Sequence, residues 1–286
     1  MRTFAVFLFC MVLLSCARNS ALVPDRLPLP ESRGTVAGGS ALAKILSELT
    51  PDEREEEILE YVKDGKMPSF LAMLQRVTVR ETVGGSEREL TFFVAPDYFA
   101  LGSDEDYFLC PLTPATAQEI ADSLACLLPT RKIVDAIYAQ ATVKLEPAPI
   151  APSERMTTVP VFWQHNMTVW HQRQATLALY PLGTLVAGHK KDLVITPKLA
   201  KKPTSVAIYG WHRTDGNPIQ PLYLGHSSSY ADYSHGIRLV SRRALLDQRP
   251  VDLLDVLRDK DLCILISDEG PVSEPRCPAR QADGPK

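Results

Sequence analysis

The chain has 286 residues, 45% of them apolar, and a formal net charge of −3. That length and apolar content suit one large folded domain or two small ones. The near-neutral charge, with no basic face, excludes nucleic acid as an electrostatically steered partner.

Residues 1–15 read as a secretory signal peptide. Arg2 supplies the positive start, and Thr3 to Leu14 is an almost unbroken apolar run, shorter than the roughly 20 residues a membrane span requires. The run ends in Leu13-Leu14-Ser15-Cys16, which resembles the lipobox of bacterial lipoproteins, where the cysteine is acylated and becomes the mature N-terminus. The resemblance implies an exported protein held at a membrane surface by a lipid on Cys16, without spanning the bilayer. Residues 16–49, rich in small residues, Pro and Gly, read as a tether to the folded part.

Thr50-Pro51-Asp52-Glu53 predicts a helix start, with Thr at the cap, Pro in the first turn and acids beside it. The helix runs to about Lys63 and ends at Gly65. Pro68 to Leu74 predicts a short second helix. Val77–Val83 and Leu90–Val94, joined through Gly84-Gly85, read as a hairpin. Thr113-Pro114 opens a helix over Ala115–Leu127, and Lys132–Gln140 is another. Pro147, Pro149 and Pro152 make the next stretch extended, so 146–156 is the candidate seam between subdomains. The strands expected beyond it are Val159–Trp163, Leu193–Thr196, Ser205–Tyr209, Ile219–Leu224 and Ile237–Val240. Asp215-Gly216-Asn217 turns one of these into the next. Arg249-Pro250 precedes a helix over Val251–Leu257, Leu262–Ile266 is a last apolar run, and 269–286 reads as a disordered tail. The fold class expected is α+β, with N-terminal helices followed by a mostly antiparallel sheet in a single domain over 50–268.

Export makes the cysteines informative. Cys110, Cys126, Cys263 and Cys277 remain after processing, an even number that suggests disulfides in an oxidising compartment. Three pairings are open. The local one, Cys110–Cys126 with Cys263–Cys277, closes the smallest loops, each stabilising by about 3 kcal/mol in the chain-entropy view. Cys110 also stands just before a helix start, which resembles papain-like peptidoglycan peptidases, with His189 or His212 as the later histidine. Pro111 and Pro114 separate it from that helix, and an inert or disulfide-bonded thiol is the competing reading. The acidic turn Gly102–Asp106 is a solvated turn or a calcium ligand set without EF-hand spacing. Lys190, Lys191, Lys198, Lys201 and Lys202 form a basic stretch that suits a solvated face or an anionic cell-wall polymer.

All six histidines fall between His165 and His235. Four lie within two residues of a glycine in expected turns or strand ends: His189, His212, His226 and His235. The stretch from Ile219 to Val240 concentrates them, with His226, Ser227, Ser228, Ser229, Tyr230, Asp232, Tyr233, Ser234 and His235 between two apolar runs. The candidate catalytic residues are His226, Asp232 and His235, with His189 or His212 opposite. A histidine oriented by Asp192 or Asp232 suits general acid–base work. No Gly-x-Ser-x-Gly elbow supplies a nucleophile. No required cofactor is implied; zinc held by two or three of these histidines and Asp232 is a further reading, without the tight spacing of a helical zinc motif. A recognition pocket without chemistry, and histidines that merely satisfy strand ends, are the remaining two.

The block Ser234-His235-Gly236-Ile237-Arg238-Leu239 resembles the Ser-His-Gly-Cys-Ile/Val-Arg block of L,D-transpeptidases, and His226 stands where that family has an upstream histidine. The resemblance covers about fifteen residues. Ile237 follows Gly236 directly, so the family's nucleophilic cysteine is missing and its activity does not carry over. More broadly, Val94–Tyr138 with Gly188–Val240 resembles a group of uncharacterised exported bacterial proteins, which implies a shared fold and no mechanism. The expected function is an exported envelope hydrolase of the amidase or peptidase kind, acting through a His-rich site on cell wall or another extracytoplasmic polymer. The alternative is a non-catalytic envelope binding protein.

Overall fold

A Thr50 cap starts the second helix among the described residues, as its sequence requires. The Thr50 hydroxyl accepts from the Glu53 amide, and the Glu53 carboxylate accepts from the Thr50 amide at 2.9 Å, closing a capping box. The computed structural model describes residues 25–278 apart from 33, 35 and 36. The signal peptide, Cys16 and residues 279–286 lie outside the described residues. In chain order the helices are α1 (Gly39–Leu46), α2 (Pro51–Lys63), α3 (Pro114–Ser123), α4 (Arg131–Gln140), α5 (Val159–Gln174) and α6 (Leu253–Arg258). The strands are β1 (Gln75–Val83), β2 (Ser86–Val94), β3 (Ala100–Gly102), β4 (Tyr107–Leu109), β5 (Cys126–Leu127), β6 (Val143–Lys144), β7 (Val186–Ala187), β8 (Lys191–Leu193), β9 (Ile208–His212), β10 (Pro218–Tyr223), β11 (His235–Gly236), β12 (Val240–Ser241), β13 (Arg243–Leu246) and β14 (Arg249–Asp252).

The fold is α+β, with two main sheets. The first runs β14-β13-β2-β12-β5, with β1 also on β2, and every pairing in it is antiparallel. The second runs β10-β9-β8-β11, antiparallel except that β11 lies parallel to β8. A parallel pair needs a long crossover, and the connection from β8 to β11 passes through β9 and β10. One buried apolar cluster runs from Leu27 to Cys277, including Leu145 and Val159 on either side of the candidate seam. The core is therefore continuous across 146–156.

Several expectations are corrected. Val159–Trp163 is not a strand but the start of α5. Pro160 sits in its first turn, and Phe162, His165, Asn166, Val169 and Arg173 are buried along one face. That is helical spacing, carried by polar residues that do not look like core. The tether ends earlier than residue 49: Leu27, Leu42 and Leu46 are in the core. Gly39 packs so closely on the Tyr107–Phe108 backbone that a Cβ would sit 2.5 Å from the Phe108 nitrogen. The acidic turn explains part of this anchoring. Asp106 accepts from the Ser40 amide at 3.1 Å and its hydroxyl at 2.6 Å, while Asp104 accepts from Ser69 at 2.7 Å. Ala115–Leu127 is broken, with α3 ending at Ser123 and Cys126–Leu127 forming β5. The tail is packed as far as Val272 and Cys277, because the Val272 amide bonds to the Leu257 carbonyl and the Cys277 amide to Gln118. Cys110, Cys126, Cys263 and Cys277 are free, buried thiols. Among the described residues neither local disulfide is formed.

Candidate functional site

The second sheet and the loop after it bring the expected residues into two layers. Strand β8 continues the run Gly188-His189-Lys190-Lys191-Asp192, and its alternation sends Lys190 and Asp192 to one face and Lys191 to the other. Lys190 and Asp192 are buried and Lys191 is half-exposed. In register, His235 lies beside Lys191 and Gly236 beside Asp192.

The buried layer is an ionic network. The Tyr98 hydroxyl donates to Asp192 at 2.8 Å, and the Arg238 guanidinium lies 4.1 Å from the centre of the Tyr98 ring. Arg238 also donates to the carbonyls of Ala95 at 3.0 Å and Val186 at 2.7 Å. A buried guanidinium needs such acceptors. His189 Nε2 lies 3.1 Å from Asp97 Oδ1, and Lys190 Nζ donates to the Tyr233 carbonyl at 2.6 Å. Burial alone would raise the Asp97 carboxyl. The His189 ring, Arg238 and the Tyr98 amide outweigh it and hold that carboxyl below its usual value. Burial pushes Lys190 down to about 7 and Asp192 up to about 6. Gly236 is required here: a Cβ would sit 2.6 Å from Lys190 Cβ and 2.7 Å from the Tyr98 ring.

The outer layer is an aromatic ladder on the loop that opens β11. The Tyr223 ring meets His226 edge-on at 5.2 Å, and His226 stacks on Tyr230 at 4.2 Å. Tyr230 then meets the buried His235 edge-on at 5.8 Å. The Tyr230 hydroxyl donates to Asp232 at 3.1 Å, and Asp232 also accepts from the Ser234 amide at 2.8 Å and from its hydroxyl. Tyr223 is 43% exposed, and His226 and Tyr230 are partly so. The structure thus brings His226, Asp232 and His235 together around Tyr230. His189 and His212 have partners of their own. His189 is engaged by Asp97, while His212 Nε2 lies 3.0 Å from Asp135 and its ring stacks on Tyr138 at 4.5 Å.

Burial decides what these imidazoles can do. His235 is pushed down to about 4 and stays neutral at physiological pH, although Asp232 pulls the other way. Neither of its ring nitrogens, nor those of buried His165, is hydrogen-bonded. His165 is pushed to about 2, again by burial. Nucleophilic catalysis needs a hydroxyl or thiol within reach of a base. The buried rings of His189 and His212 have carboxylate partners instead. The thiol of Cys110 is raised by burial, with Arg54 and Lys190 only partly opposing, so it is no ready thiolate. Among the described residues no group of three or more His, Cys, Asp or Glu is placed to hold a metal ion, so the zinc reading finds no donor set there.

The sequence assigns no site role to Asp97, Tyr98, His165 or Trp211, and presents Lys190 and Lys191 only as part of a basic stretch. Lys190 and Asp192 were detectable as alternate positions of one strand. Trp211 was not, because its backbone is in the left-handed region (φ 57°) inside β9, a strained state for a large side chain. That twist leaves its amide bonded to the Lys190 carbonyl and its ring 4.9 Å from Lys191 Nζ. Asn166 is also interior: its side-chain oxygen accepts from the Leu109 amide and its nitrogen donates to the Tyr107 carbonyl.

The chain matches no known family model. No curated protein and no solved structure matches it either.

Proposed function

We propose that this is an exported, lipid-anchored envelope protein that binds a cell-wall or other extracytoplasmic polymer through the Tyr223–His226–Tyr230 ladder, without breaking bonds in it. The observation that carries the reading is the ladder itself: three rings in series, partly exposed, on a loop held by Asp232. Aromatic faces carry negative potential and suit the C–H faces of sugar rings. The Ser227 and Ser229 hydroxyls, on an exposed turn, add donors and acceptors. Lys191 supplies one cation beside them for acidic groups of such a polymer. By contrast, the Ser234–Leu239 block that resembles L,D-transpeptidases is wholly interior. There Gly236 gives close packing and Arg238 joins three segments, so the block is accounted for by architecture.

Retention on insoluble cell-wall polymer, measured by co-sedimentation and competition with soluble fragments, tests this. Tyr223→Ala should weaken retention by about two- to tenfold, the equivalent of roughly 0.5–1.5 kcal/mol for one ring contact, with the melting temperature nearly unchanged. No retention by the wild type, or equal retention by the variant, refutes the binding reading. The hydrolase reading runs instead through His226, partly exposed in one turn with Ser227 and Ser229. Soluble fragments released by the wild type and abolished in His226→Ala would favour it.

A further inference from the structure

We infer that the loop 178–181, with Met73, is a membrane-contacting surface that rests in the interface of the bilayer holding the lipid anchor. The inference rests on the proposed acylation of Cys16. Leu179 is 79% exposed, Tyr180 38% and Met73 43%, and Ala178 and Pro181 beside them are exposed too. Single exposed apolar residues are ordinary, but a contiguous group asks for an occupant. Met73 adjoins the end of this loop: its sulfur lies 2.7 Å from where a Cβ on Gly183 would be, two residues after Pro181.

The group is also held in place. Arg173 is fully buried in α5, yet its guanidinium faces this loop. It donates to the Thr176 hydroxyl, the Tyr180 carbonyl and the Pro181 carbonyl, each at 2.8 Å. Three charge-assisted bonds from one buried arginine fix the turn, so the apolar side chains project from a rigid base.

What commits the surface to lipid is where the N-terminal segment lies. Leu74 donates its amide to the Asp25 carbonyl at 3.1 Å, and Leu27 donates to Ala72 at 2.9 Å, with Arg26 bridged to Met73. The segment is therefore clipped directly alongside Met73. Eight residues separate Cys16 from Asp25, and nine fully extended Cα–Cα steps reach at most about 30 Å. A lipid on Cys16 keeps this end of the molecule within that distance of the bilayer. An aliphatic side chain with a neighbouring tyrosine suits the interface, where Tyr sits with its ring in the acyl boundary and its hydroxyl in the headgroups. Arg26, exposed on the same segment, suits phospholipid phosphate.

The test uses the full-length, processed protein in phospholipid vesicles. A nitroxide label is placed at Leu179→Cys or, as control, at Ser86→Cys. Ser86 is at the far end of the β1–β2 hairpin, nine residues of strand from Gln75, about 27 Å at the usual rise. Collision with oxygen, which concentrates in lipid, is compared with collision with a water-soluble nickel chelate, and acylation of Cys16 is read by mass in the same samples. Acylated protein with a higher oxygen-to-nickel ratio at 179 than at 86 is the expected result. Acylated protein with equal ratios overturns the surface and leaves the anchor standing. Protein that carries no lipid on Cys16 overturns the anchor and the inference with it.

Discussion

The neutral, buried imidazoles of His165 and His235 make the protein sensitive to acid in a defined window. An unfolded histidine titrates near 6.5, whereas burial holds His235 to about 4 and His165 to about 2 in the folded chain. Below pH 6.5 the unfolded state therefore binds more protons than the folded one. Stability is complete above 6.5 and falls as the pH drops toward the folded values. Asp192, raised to about 6, works in the opposite sense between its ordinary range and 6, so the wild-type curve alone is a mixture. A difference isolates His165. The stability gap between wild type and His165→Phe should change by roughly 1.4 kcal/mol per pH unit below 6.5, in favour of the variant. Chemical denaturation at several pH values reads it, and a gap independent of pH from 7 to 4 would show that His165 is solvated. The slope is informative whatever the substitution does to packing, because a packing penalty does not vary with pH. None of this was visible in the sequence, where His189, His212, His226 and His235 suggested a shared site. Imidazoles at strand ends look alike until their burial is known.

Two hairpins of the first sheet show which elements were legible and why. In β1–β2 the turn residues are Gly84 and Gly85, both with positive φ (58° and 83°), and the sequence announces such a turn through its glycines. In β13–β14 the same positions are held by Asp247 and Gln248, at φ 47° and 63°. Neither residue signals a tight turn strongly, and that hairpin went unread. Tertiary contacts stabilise it instead: Asp247 accepts from the Glu89 amide at 2.9 Å and pairs with Arg88, while Gln248 donates to Glu89 at 3.0 Å. The left-handed strain at Gln248 remains. Gln248→Gly should therefore stabilise the protein by about 0.5–1 kcal/mol, since glycine removes the steric cost and loses only an exposed hydrogen bond. The expected observation is a higher urea midpoint with an unchanged slope. A lower midpoint would mean that the Gln248–Glu89 bond outweighs the strain. The same logic explains α5: its apolar start mimics a strand, and its core face is completed by His165, Asn166 and Arg173, which only burial identifies as inward.

At the scale of the whole molecule, the four cysteines among the described residues report on how the core is held. Cys110 follows β4, Cys126 is in β5, and the Cys277 amide donates to Gln118 of α3. These thiols sit in one continuous core, with Cys263 buried in the 3₁₀ turn that follows α6. Burial raises Cys126 and Cys277 to about 12, so neither forms a thiolate at neutral pH, and the thiolate is the species that exchanges or oxidises. Such thiols can stay reduced even in an oxidising compartment, because access and ionisation are both denied. Alkylation of the native protein without reductant should therefore modify none of Cys110, Cys126, Cys263 and Cys277, while alkylation after unfolding, still without reductant, should modify all four. Peptide mass mapping reads both states. If the unfolded chain instead stays unmodified at two or four of these positions until a reductant is added, disulfides do form. The native packing would then differ from the one described, in which Cys110, Cys126, Cys263 and Cys277 are all free, buried thiols.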